Sequence, residues 1–138
     1  MESRTVLNLL RECYKVIKDP KKWCTLVNAR NDKGDPTGVL DNDAARWCSY
    51  GILMRKNRDL RVLGESAPEV LWYAERYLRE ACAELESLDK YGDAPISYYD
   101  YNDKYEHDKV MVMWRLAISK LQGECNDHVG ESRSPDLR

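Results

Sequence analysis

The clearest indication of the fold is the stretch between residues 66 and 90, where apolar side chains recur at helical spacing. Ser66 and Glu69 have the spacing of a capping box, and Pro68 suits the first turn of a helix. The apolar positions that follow cover a wide arc of this helix: Val70, Leu71, Ala74, Tyr77, Leu78, Ala81, Cys82, Leu85 and Leu88. A helix that is apolar over so much of its circumference is predicted to lie at the centre of a helical fold.

The same periodicity predicts three further helices, at about Arg4–Lys18, Asp43–Lys56 and Tyr105–Leu121. Residues 21–43 are rich in glycine, Asn and Asp, which predicts a long irregular connection with a short extended segment at Cys24–Ala29. The apolar content falls after Gly123, so residues 123–138 are predicted to be a flexible polar tail. We therefore expect a mainly α fold, a single compact domain of about four helices in residues 1–122.

Composition argues against several classes of protein. The net charge of −2 and the pI of about 5.7 argue against nucleic-acid binding, because affinity for nucleic acid depends mainly on neutralising phosphates. No apolar run reaches the roughly 20 residues that a membrane span needs. Five cysteines without a C-x-x-C pair indicate reduced thiols rather than a disulfide framework or a zinc site. We expect a cytoplasmic protein that does not enter a membrane.

The two halves of the chain carry opposite charge. Residues 1–64 contain 13 Lys and Arg and 8 Asp and Glu, whereas residues 65–138 contain 9 and 16. Complementary halves can attract each other within one fold or steer a charged partner towards one side.

The segment "ISYYDYNDKYEHD", residues 96–108, combines tyrosines with acidic side chains. Asp103 and Glu106 have the spacing of a capping box and are predicted to start the last helix. That leaves an aromatic and acidic loop, which we predict to be a protein-interaction segment: Tyr98, Tyr99, Asp100 and Tyr101.

Catalytic and metal-binding patterns are weak. Asp103 and His107 are four residues apart, but a stable metal site needs three or four ligands and no metal-binding motif is present, so no metal or cofactor is predicted. Cys24 and Cys48 each follow a tryptophan, and His107 could serve as a base for a thiolate. A buried cysteine is the favoured interpretation, and a cysteine hydrolase remains a remote alternative.

Five sequence elements together resemble a known family: Trp23, the turn at 32–34, "DAARWCSYGIL" at 43–53, "YND" at 101–103, and Ala117-Ile118. They are similar to the elements of the small bacterial and phage proteins grouped as domain-of-unknown-function family 6197. The resemblance covers about residues 5–121. Tyr101 stands where the family usually has Trp, and Ile52 where it usually has Ala.

The resemblance implies no activity, but it singles out a recurrent constellation: Asp43, Trp47, Cys48, Asn102 and Asp103. One interpretation is structural, with Asp43 and Asp103 as N-caps, Trp47 and Cys48 in the core, and Asn102 in a turn. The other is a pocket between two helix N-termini that binds a small anionic ligand such as a nucleotide.

The leading hypothesis for function is a non-enzymatic accessory protein that binds another protein, as a phage product that modulates or inhibits a host factor. The lack of a catalytic motif, the charge asymmetry and the aromatic, acidic segment support it. Self-association is a variant of this hypothesis, in which the acidic segment contacts the basic half of a second copy.

Overall fold

The computed structural model describes residues 3–89 and 97–132. The described residues contain five α-helices, a 3₁₀-helix at Pro20–Lys22 and a two-stranded antiparallel sheet. The helices are α1 (Ser3–Ile17), α2 (Ser49–Val62), α3 (Pro68–Asp89), α4 (Tyr98–Lys104) and α5 (His107–Ser132), and the strands are β1 (Ala29–Arg30) and β2 (Arg46–Trp47). The mainly α prediction is confirmed. The expectation of about four helices is roughly met, because the described residues contain five, and α4 is the additional one.

Helix α3 contacts every other α-helix of the described residues, although only one stripe of its predicted apolar arc is fully buried. It packs against α1, α2, α4 and α5. Its buried face consists of Val70, Ala74, Leu78, Ala81 and Cys82. Because these side chains are enclosed from several directions, removal of water from the apolar arc stabilises the whole bundle.

The outer helices close the core with one apolar stripe each. The stripe of α1 consists of Val6, Leu7, Leu9, Leu10, Cys13 and Ile17, and that of α5 includes Val110, Met113, Trp114, Ala117 and Leu121. Trp114 is the largest fully buried side chain in the described residues. An indole in such a place needs a hydrogen-bond acceptor for its N–H.

The connection between α1 and α2 is longer than predicted. Ala29 pairs with Trp47 and Arg30 with Arg46, so residues 46–47 form a ladder instead of a helical turn. Helix α2 therefore begins at Ser49 and not near Asp43. Only Ala29 of the predicted extended segment lies in a strand.

Gly51, in the first turn of α2, explains why the two-stranded sheet β1–β2, which we call the β-ribbon, can lie so close to the helix. A Cβ atom at Gly51 would stand 2.0 Å from the carbonyl oxygen of Asn28. The absence of a side chain at this position thus serves backbone packing between the ribbon and the helix.

Helix α5 also differs from its prediction at both ends. It begins at His107 and continues to Ser132, so residues 123–132 are helical and not the flexible tail that we expected. Leu121 and Cys125 are both buried one turn apart, which extends the packed face past Gly123. Residues 133–138 of the predicted tail lie outside the described residues. None of the described helices combines the length and the apolar content needed to cross a membrane.

Candidate functional site

Asn102 is the centre of a buried hydrogen-bond network. Its side-chain oxygen accepts hydrogen bonds from Trp23 Nε1 at 2.8 Å, from the Ser49 backbone N–H at 3.0 Å and from Ser49 Oγ at 2.8 Å. Its amide nitrogen donates to the carbonyl of Cys24 at 3.1 Å. The side chain is 0% exposed, so these bonds satisfy a group that no solvent reaches.

The network extends through Ser49 to α5. Trp114 Nε1 donates to Ser49 Oγ at 2.9 Å, while Ser49 Oγ donates to Asn102. One amide and one hydroxyl therefore join α4, the N-terminus of α2, the connection and α5. The predicted turn-forming Asn102 is instead a core residue inside α4 that fixes four parts of the chain to one another.

Asp103 lies near the end of α4 and does not cap α5, which corrects the prediction that it starts the last helix. Its Oδ1 accepts a hydrogen bond from the backbone N–H of Leu26 at 2.9 Å and another from Asn102 Nδ2 at 3.3 Å. Leu26 has a φ of 74°, the left-handed region, and its side chain is 74% exposed. Asp103 thus holds a strained loop whose leucine points into solvent.

Cys48 is the N-cap of α2, a role that the sequence assigned to an aspartate. Its sulfur accepts a hydrogen bond from the Gly51 N–H at 3.3 Å and lies 3.6 Å from Asn28 Oδ1. Burial raises the pKa of the Cys48 thiol above its ordinary value. A thiolate nucleophile requires the opposite shift.

His107, the candidate base, makes other contacts. Its Nε2 lies 2.7 Å from the carbonyl oxygen of Ile17, and its ring lies edge-on to Trp23 with the centroids 5.2 Å apart. In the described residues no group of three or more His, Cys, Asp or Glu side chains is arranged to hold a metal ion.

Asp43 and Trp47 lie apart from the other predicted site residues. Asp43 Oδ1 accepts from the Thr37 hydroxyl at 3.3 Å within the connection, so it is not a helix cap. Trp47 Nε1 donates to the Val39 carbonyl at 3.3 Å. Trp47 and Cys48 line two different cavities. Asp43 lines neither of these two cavities.

The predicted pocket between two helix N-termini is therefore not formed by these residues. Asp43 and Asp103 do not start helices, and the first N–H groups of α2 are occupied by Asn102 and Cys48. The structure brings together Cys48, Asn102 and Asp103.

Cys48 and Asp103 line an open pocket of about 390 Å³. Leu26, Tyr50, Tyr99 and Glu75 also line it. The ring of Tyr99 lies edge-on to those of Tyr50 and Tyr98, with centroids 6.3 and 5.3 Å apart. We call the rim formed by exposed Leu26 and Tyr99 and half-buried Tyr50, with the carboxylates of Glu75 and Asp103, the tyrosine–leucine surface.

The predicted interaction segment is divided between this surface and the core. Tyr98 and Tyr101 are buried, 1% and 5% exposed, because they lie on the inner face of α4. Tyr98 O–H donates to Glu75 at 2.6 Å, and burial and this carboxylate raise the pKa of Tyr98. Tyr99 is 50% exposed, and Asp100 is exposed beside it. Only these two of the four predicted contact residues are available on the surface.

Three residues of the tyrosine–leucine surface were not among the predicted site residues. Tyr50 lies within the "DAARWCSYGIL" element, but Leu26 and Glu75 carry no motif. Leu26 becomes conspicuous only through its backbone conformation, which a sequence does not reveal. No protein-family model, curated protein or solved structure matches this chain.

Proposed function

We propose that the protein is non-enzymatic and acts by binding another protein through the tyrosine–leucine surface. The observation that carries this proposal is Leu26, an exposed leucine in a left-handed backbone conformation. That conformation costs a non-glycine residue about 1–2 kcal/mol. In the isolated chain the exposed side chain recovers little of this cost by burial, so the strain requires another reason.

A partner that covers Leu26 supplies that reason. Burying a leucine side chain contributes about 1.5–3 kcal/mol to binding. Because the folded chain already holds Leu26 in this conformation, the strain adds no further cost when the partner binds. Tyr99 and Tyr50 add rigid aromatic area beside it, and tyrosine is enriched at the centres of interfaces. The hydrogen bond from Leu26 N–H to Asp103 holds the loop in position before the partner arrives.

The charge of the surface favours a basic partner. Glu75 and Asp103 lie in the pocket, and Asp100 is exposed on the same short helix as Tyr99. Carboxylates at the rim steer a basic surface towards the tyrosines and make the association rate fall as salt rises. The further proposal that the partner is a host factor modulated by a phage product depends on the resemblance to family 6197 alone.

The test is capture of cross-linked partners from bacterial lysate by the full chain, quantified by mass spectrometry. Leu26→Ser and Tyr99→Ala should each lower capture about tenfold, as expected for the loss of one buried anchor. Leu63→Ser is the matched control, because Leu63 is 68% exposed at the end of α2, outside this surface. It should leave capture unchanged.

Two results would contradict the proposal. One is a set of captured proteins that Leu26→Ser and Tyr99→Ala leave intact, and the other is the absence of any captured protein. Sedimentation of the purified chain identifies the case in which a second copy is the partner. The dimer should then be lost in the same two variants and kept in Leu63→Ser.

A further inference from the structure

A second cavity, of about 570 Å³, is separate from the pocket at the tyrosine–leucine surface. It is open to solvent and is lined by the end of α1, the 3₁₀-helix, the connection, β2 and α2. Its volume is within the range of about 300–1,000 Å³ that is usual for small-molecule sites. The cavity does not share residues with the pocket lined by Cys48 and Asp103.

The base of this cavity is apolar. Val16 and Ile52 contribute aliphatic side chains, and half-buried Trp47 contributes its indole. The indole N–H is already bonded to the Val39 carbonyl, and the Arg55 guanidinium lies 5.6 Å from the ring centroid. The indole therefore offers apolar ring surface rather than a free donor.

The rim of the cavity is basic. Five basic side chains and three acidic ones line it. Arg55 forms an ion pair with Asp59 at 3.5 Å, and the Asp19 carboxylate accepts from the Lys21 backbone N–H. In the described part of the chain the remaining cations form no ion pair: Lys21, Lys22, Arg46 and Lys56. Asp19 and Asp32, which also line the cavity, form no ion pair among the described residues either, so five basic and three acidic side chains leave an excess of two positive charges, and that excess favours an anion.

We propose that this cavity binds a small anion that carries an aromatic ring, the chemistry of a nucleoside phosphate. The ring would contact Trp47, Val16 and Ile52, and the phosphates would lie among the unpaired cations. Inorganic phosphate alone would leave the apolar base exposed, and a neutral aromatic compound would leave the cations unpaired. This proposal is independent of the tyrosine–leucine surface.

Titration calorimetry of the full chain with ATP, adenosine and inorganic phosphate as separate probes tests the proposal at low salt. ATP should bind at least about tenfold more tightly than either adenosine or phosphate, because only ATP uses both parts of the cavity. Lys56→Glu and Lys22→Glu should each weaken ATP binding about tenfold. Lys22 is exposed, so its variant should keep the fold even if Lys56→Glu does not.

Arg79→Glu is the matched control, since it makes the same change of charge at an exposed position of α3 that does not line the cavity. It should leave ATP affinity within about twofold, as is usual for a distant, screened charge. Leu26→Ser should also bind ATP normally, which separates this proposal from the protein-binding one.

Four results would overturn the inference. The first is no heat of ATP binding at about millimolar concentration. The second is phosphate binding as tightly as ATP, which would remove the role of the aromatic base. The third is an equal effect of Lys22→Glu and Arg79→Glu, which would indicate nonspecific charge. The fourth is a single-stranded oligonucleotide that displaces ATP and binds more tightly, which would indicate a nucleic-acid groove.

Discussion

Replacement of Asn102 by alanine tests the buried network most directly. The substitution removes the acceptor of Trp23 Nε1–H and of the Ser49 N–H, and the donor to the Cys24 carbonyl. The Ser49 hydroxyl can rotate to another acceptor and still accept from Trp114. Three polar groups, two of them buried and the Trp23 N–H half-buried, thus lose their partner in one substitution.

The magnitude follows from these three groups. A buried polar group that loses its partner costs about 1–3 kcal/mol. A water molecule that enters the space left by the amide can satisfy part of this loss, so we expect about 3–5 kcal/mol in total. The whole free energy of unfolding of a domain is about 5–15 kcal/mol, so this one side chain should account for a large part of it.

Urea unfolding monitored by tryptophan fluorescence measures the loss, with the melting temperature as a second readout. We expect a fall in melting temperature of roughly 10–20 °C. The matched control is Asn8→Ala on the exposed face of α1, which should change the free energy of unfolding by no more than about 0.5 kcal/mol. A loss below about 1 kcal/mol in Asn102→Ala would contradict this expectation, because it would mean that these groups find other partners at little cost.

Two further predictions concern the first turn of α2. Gly51→Ala should lower the free energy of unfolding by at least about 2 kcal/mol because the new Cβ meets the Asn28 carbonyl oxygen, whereas Gly123→Ala, with open space around it, should be neutral or slightly stabilising. A tolerated Gly51→Ala in chemical denaturation would contradict the close approach of the ribbon to the helix. Cys48 should react slowly with a thiol reagent in the native state, and faster as pH rises towards its raised pKa, because burial disfavours the thiolate. Rapid, peptide-resolved labelling of Cys48 near neutral pH would instead support the cysteine hydrolase.

Helical periodicity was sufficient to predict the elements whose burial is one continuous stripe. Helices α1 and α3 were found on this basis within a few residues. Helix α4 was missed because its seven residues are mostly tyrosine and acid, and a polar loop has the same local composition. Tyr98 and Tyr101 are buried on the inner face of α4, which packs against α2 and α3. The local sequence does not reveal these tertiary contacts.

The start of α2 was mistaken for a different reason. The sequence from Asp41 to Ala45 has the capping residues and alanines that favour a helix. Pairing of Arg46 and Trp47 with β1 competes with that local preference and prevails. Trp47 and Cys48, which are adjacent in sequence, line two different cavities.

Two neighbouring residues of α4 connect stability with the proposed binding surface. Asn102 points into the core and binds Ser49 and Trp23, while Asp103 points outward and binds the backbone of Leu26. Asn102→Ala therefore disturbs both the fold and the loop that carries Leu26. A loss of partner capture in Asn102→Ala does not distinguish unfolding from a damaged binding surface. Leu26→Ser removes only an exposed side chain, since the Leu26 N–H that Asp103 binds belongs to the backbone. A protein that keeps its melting temperature and loses its partner in that variant would separate recognition from folding at this surface.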